Sequence, residues 1–195
     1  MKKAPYSPYN NTSAKFRKNL LYWSGAFTLI LVVIMRLLDQ SLVTPGEEVP
    51  DGIVAFEMVK NIHDARIMID MWGEKGRVVA AFGLGLDYLF LIAYSLFFGV
   101  ISFEIGRKLK GRSKLLSNPG YVLSWLILLA AVYDAIENFA LIRILTGCQY
   151  SLWATTAYYF ATMKFTIVII TVVYIILGLI MMWLTRPSEN QPVSR

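Results

Sequence analysis

Five residues able to do chemistry lie within otherwise apolar stretches of the chain: Asp87, Asp134, Glu137, Asn138 and Lys164. Ionisable groups in such stretches cost ~2.5–3.5 kcal/mol each on insertion scales, so they are kept in pairs, in polar cavities or at functional sites. A carboxyl there can serve as a general acid or base, and an ammonium can stabilise developing negative charge. Asp134, Glu137 and Asn138 fall at i, i+3 and i+4, which puts them on one helix face. Asp87 shares a face with Phe90, Leu91 and Tyr94, and Lys164 shares one with Ala157, Phe160, Ala161 and Thr171. The deep carboxyls outnumber the one deep lysine. Either some hold a proton, or a cation or basic ligand group joins them. The competing reading is structural: Lys164 pairs with Asp134 or Glu137, Arg36 pairs with Asp39, and the charges only lock helices together.

A second set of residues lies around this one. Asp39 and Arg143 fall just above the deep layer, and Tyr94 lies on the Asp87 face. Glu57 and the single histidine, His63, would join the site as general base or metal ligand if the loop carrying them folds over the bundle. An oxygen-rich set of this kind suits Mg or Ca better than Zn. Cys148 is the lone cysteine, which excludes an internal disulfide and a thiolate-built metal site. The chain carries no haem, nucleotide or thiolate-metal signature, and no nucleophile-elbow, Walker A or His-Glu-x-x-His motif.

These residues need helices to position them. The chain has 195 residues, 56% of them hydrophobic and 16% charged. Its mean hydropathy is +0.53, too apolar for a soluble domain of this size. The expected fold is all-α: a polytopic bundle of four membrane-spanning helices at about 20–43, 78–105, 121–145 and 152–184. Each exceeds the ~20 residues that cross a ~30 Å hydrocarbon core. The spans make one domain, 20–184, flanked by tails at 1–19 and 185–195 that read as flexible. An amphipathic helix is expected at about 53–72 in the first outer loop, on the stripe Ala55, Met58, Val59, Ile62, Arg66, Ile69 and Trp72. Thr44-Pro45-Gly46 breaks the first span, and Asp51 is positioned to cap the loop helix. Gly83 and Gly85 read as helix-packing positions.

The net charge of +6 is explained by topology rather than nucleic acid. Lys15, Arg17 and Lys18 precede the first span, and Arg107, Lys108, Lys110, Arg112 and Lys114 join the second to the third. Positive charge stays inside, so both termini are expected to be cytoplasmic, in a plasma (inner) membrane. Trp23, Trp125 and Trp183 then fall near the inner interface and Trp72 and Trp153 near the outer one. Glu104 is expected to snorkel at the inner end of its helix. The deep set gathers between the midplane and the outer interface.

The run Leu38-Asp39, Thr44-Pro45, Gly52-Ile53 and Phe56-Glu57, with Leu86-Asp87-Tyr88, Asp134-Ala135-Ile136-Glu137-Asn138 and Lys164-Phe165, resembles a group of small bacterial four-span membrane proteins without an assigned function. That resemblance implies a four-helix membrane fold and no activity. The architecture also resembles the emopamil-binding-protein class, with Asp39, Leu42 and Pro45 as the best local match. This implies binding of sterol-like or cationic amphipathic ligands. The histidine-and-glutamate pattern of the sterol isomerases in that class is not evident here.

Three functions remain open at this point. The bundle binds, or with proton uptake transports, a small polar or amphipathic ligand. It acts as a membrane-embedded enzyme on a lipid or isoprenoid. Or it is an accessory subunit whose charges set helix register. The expected partner is the lipid bilayer, with a lipid or small amphipathic ligand; transport through four helices would call for a homo-oligomer or a larger membrane complex.

Overall fold

A computed structural model describes residues 5–42, 52–111 and 113–185. The Thr44-Pro45-Gly46 break, the Asp51 cap, Arg112 and the tail from Pro187 lie outside the described residues. The described chain is all-α: α1 (Ala14–Gln40), α2 (Ile53–Glu57), α3 (Ile62–Leu109), α4 (Lys114–Leu145) and α5 (Ser151–Leu184). Among the described residues, α1, α3, α4 and α5 are long and apolar enough to cross a membrane, as a multi-pass helical bundle requires.

The packing is lopsided. α3 is the central helix and touches α1, α4 and α5, while α4 and α5 pack on each other. α1 packs mainly on α3, and most of its apolar side chains, Leu29, Val33 and Leu37 among them, are exposed. A helix that is apolar all round suits lipid on its open faces. Close approaches fix these contacts. A Cβ on Gly25 would meet the Phe97 ring at 2.8 Å, which sets the α1–α3 crossing. A Cβ on Gly120 would lie 2.5 Å from the Ser102 carbonyl, so α3 and α4 touch backbone to backbone there. On α5, Ala154, Ala157 and Ala161 are fully buried.

The loop segment differs from the expected single helix. α2 is one short turn ending at Glu57, and the next helix starts at Ile62. That helix runs on into the second span, bending at Gly73, whose φ of 61° is open to glycine at little cost. From residue 74 to Leu109, α3 extends roughly 54 Å at 1.5 Å per residue, well beyond a hydrocarbon core. The buried face of the bent segment is Ala65, Met68, Ile69 and Trp72. Met58, assigned to the apolar stripe, is exposed, and Glu57, assigned off it, is buried. The break before Ile62 resets the helical phase, so one periodicity does not run through both pieces. Trp72 is a core residue packed edge-on against Phe56, with ring centroids 5.2 Å apart.

At the other end the N-terminal segment is not loose. Ser7 is fully buried and hydrogen-bonds Ser124 on α4 at 2.7 Å. Tyr9 packs among Val100, Phe103 and Tyr121. Ser13 caps α1 by accepting from the Phe16 amide, so the helix begins at Ala14, ahead of the span expected from about residue 20. Glu104 does not snorkel alone: one carboxylate oxygen takes Arg17 at 2.6 Å and the other takes Arg107 at 2.7 Å.

Candidate functional site

The polar cluster is built around the Lys164 ammonium. Ala157 and Ala161, fully buried on the same face of α5 as Lys164, let that helix lie close to α4. Lys164 Nζ lies 2.8 Å from Asp134 Oδ1, 2.9 Å from Glu137 Oε2 and 3.4 Å from Glu57 Oε2. Three elements, α2, α4 and α5, thus meet at one cation. The Tyr94 hydroxyl on α3 donates to Asp134 Oδ2 at 3.0 Å, which takes up the second oxygen of that carboxylate. The i, i+3, i+4 face of α4 serves two partners: Asp134 and Glu137 reach α5, while the Asn138 amide donates to Asp87 Oδ2 on α3.

Asp87, Asp134, Glu137, Asn138, Lys164, Tyr94 and Glu57 are therefore brought together, all of them buried. His63 and Arg143 are not. His63 is exposed at the start of α3, because the loop folds over the bundle through α2 and not through the first turn of α3. Arg143 is exposed and stacks over the Trp153 ring at 5.7 Å. Asp39 sits at the rim in a different role. Its Oδ1 accepts from the Ile53 amide at 2.7 Å, and its Oδ2 takes Arg36 at 3.3 Å. It caps α2 from another helix, beside Gly52, whose φ of 94° and lack of a side chain leave room for the carboxylate.

Three carboxyls contact one ammonium, and a fourth, Asp87, makes its bond to an amide instead of a cation. Burial raises the Glu57 carboxyl above the ordinary carboxylate range, and the adjacent Lys164 opposes this without cancelling it. The ammonium occupies the point on which the carboxylates converge. Among the described residues no group of three or more His, Cys, Asp and Glu is arranged to hold a metal ion.

The cluster has a front and a back. Glu137 and Asn138 are wholly enclosed. Glu57, Asp87, Asp134 and Lys164 face a cavity of about 370 Å³. Apart from the paired Arg36 and Asp39 at its rim and Tyr94, its other walls are apolar: Met35 and Leu38 of α1, Leu84 and Phe98 of α3, Phe165 and Val168 of α5. α1 and α5 both lie against α3, and the cavity fills the cleft between them. Gly83 lines it too, and a Cβ there would meet nothing within 4 Å. The glycine expected to bring helices together instead leaves space open.

No family model, no curated protein and no solved structure matches this chain.

Sequence spacing pointed to the α4 face and to Lys164. It gave no signal for Asp39 as a cap, since the amide it binds lies beyond a loop. It also missed the apolar cavity wall on α1, because a span that is apolar throughout does not show which face lines a cleft.

Proposed function

We propose that this chain is a multi-pass protein of the cytoplasmic membrane that binds a small amphipathic molecule in the cleft between α1 and α5. One observation carries the reading: the apolar cavity of about 370 Å³ ends on buried, ionisable side chains. Ligand pockets of ~300–1,000 Å³ combine apolar walls with a few convergent polar groups in this way. The ligand's apolar part lies on Met35, Leu38, Phe98 and Val168. Its polar part meets Asp87 and Asp134, and a basic group there offsets the excess of carboxyls over Lys164. Entry from the side fits a molecule partitioned into lipid.

Charge supports an orientation with both termini in the cytoplasm. Lys15, Arg17 and Lys18 lie at the same end of the bundle as Lys108, Lys110 and Lys114, and the carboxyl cluster lies toward the other end.

The test is native mass spectrometry of the purified full chain, with Asp87→Asn as the comparison. Among the described residues Asp87 hydrogen-bonds Asn138 and makes no ion pair, so the amide keeps the shape of the site. The expected result is a retained small molecule that the variant loses or holds at least tenfold less tightly, with unchanged helicity. A well-folded wild type that retains nothing across a panel of cationic, neutral and anionic amphiphiles would contradict the reading.

A further inference from the structure

The cleft between α1 and α5 has a second chamber at its opposite end. It encloses about 440 Å³ between the start of α1, the end of α3 and the end of α5. Its chemistry reverses that of the first. Four cations, Arg17, Lys18, Arg107 and Lys108, stand at its wall beside one carboxylate, Glu104. Both oxygens of that carboxylate are already taken, one by Arg17 and one by Arg107. Lys18 and Lys108 are exposed and make no ion pair among the described residues; Lys18 lies over the Tyr22 ring at 5.9 Å. The rest of the lining is apolar, with Leu21 of α1, Ile101 and Ile105 of α3, and Leu179 and Met182 of α5.

We propose that this chamber binds an anionic membrane phospholipid, with the phosphate between Lys18, Arg107 and Lys108 and an acyl chain along Leu21, Ile101, Ile105 and Leu179. Three features specify that occupant. The cations lie within the first turns of α1 and the last turns of α3, the level at which headgroups meet apolar spans. The apolar lining continues toward the interior from the cations, as a chain attached to a phosphate requires. The one carboxylate is saturated, so the ammonium of a zwitterionic headgroup finds no partner here while a net negative headgroup does. The site is separate from the carboxyl cluster and does not depend on the function proposed for it. The two chambers adjoin along α3, where Phe98 lines one and Ile101, a turn further on, lines the other.

The experiment is native mass spectrometry of the full chain in detergent with equal amounts of phosphatidylglycerol and phosphatidylcholine of the same chain length. The comparison is the double variant Lys18→Gln/Lys108→Gln, which alters two exposed side chains outside the ion pairs and leaves Glu104 fully bridged. The wild type is expected to retain one phosphatidylglycerol in preference to phosphatidylcholine. The variant is expected to lose about tenfold or more of that preference, since each basic side chain near a headgroup contributes on the order of a fivefold factor. Equal retention of the two lipids by the wild type would overturn the proposal, as would an undiminished preference in the variant. Displacement of the lipid by millimolar inorganic phosphate alone would also overturn it, because the site would then be reading a free anion.

Discussion

Lys164 on α5 and Glu57 on α2 lie 3.4 Å apart, and both are buried. The loop turn is therefore tied to the same ammonium that holds Asp134 and Glu137. Covering the bundle end and neutralising its interior are one interaction. The polar layer is a junction of several elements rather than a pair of charges on adjacent helices.

Replacing Lys164 by Met leaves three carboxyls facing an apolar group. Removing one partner of a buried pair costs roughly 3–5 kcal/mol, because the charge left behind has no compensation. Lys164→Met is expected to lower the melting temperature in detergent sharply, and Lys164→Met/Asp134→Asn/Glu137→Gln to recover much of the loss. A single variant that melts with the wild type would contradict the junction.

The seating of α2 is expected to depend on pH. The folded protein raises the Glu57 carboxyl above its ordinary value of 4.5, so the seated turn binds the proton more tightly than the unseated one. The stabilisation is full below that value and is lost as pH rises from it toward the folded value. Hydrogen exchange at residues 53–58, corrected for intrinsic rates, should quicken in the wild type as pH rises above 4.5. Glu57→Gln should flatten the change; an equal pH response in the variant would assign it to another group.

Gly83→Leu fills the cavity without pressing on a neighbouring backbone, because the space beyond Gly83 is open. Relief of glycine's backbone entropy favours the helix by about 0.5–1 kcal/mol. The variant should fold at least as well as the wild type and take up amphiphile at least tenfold less. Unchanged uptake would place the ligand elsewhere.

Cys148 supplies a native reporter of sidedness. It lies between α4 and α5, at the end of the bundle that carries α2. The Tyr150 backbone and, to a lesser degree, Arg143 hold its thiol below the ordinary value, which increases the reactive thiolate. A membrane-impermeant maleimide should label intact cells at this residue, with loss of the label in Cys148→Ser. Labelling only after lysis would reverse the proposed orientation.

The helical bundle was legible from residue types because long apolar runs leave little choice in lipid. The α4 face was legible because Asp134, Glu137 and Asn138 repeat at helical spacing. What stayed hidden depended on contacts remote in sequence. Ser7 looks like part of a polar tail until Ser124 is brought beside it. Asp39 looks like a partner for Arg36 alone until the Ile53 amide arrives. Glu57 fell off the expected stripe because that stripe assumed an unbroken helix across the break before Ile62. The burial of Trp72 depends on the ring of Phe56, which a short loop turn brings over it.

The central position of Lys164 also sets an order of biogenesis. Glu57 and Asp134 leave the ribosome before α5 exists, so the earlier segments enter the membrane with their carboxyls still lacking their cation. Until α5 inserts, Asp87 already has the Asn138 amide and Asp134 the Tyr94 hydroxyl. Glu57, Asp134 and Glu137 still lack the ammonium they share, so the ion-pair junction is completed by the last span to be made.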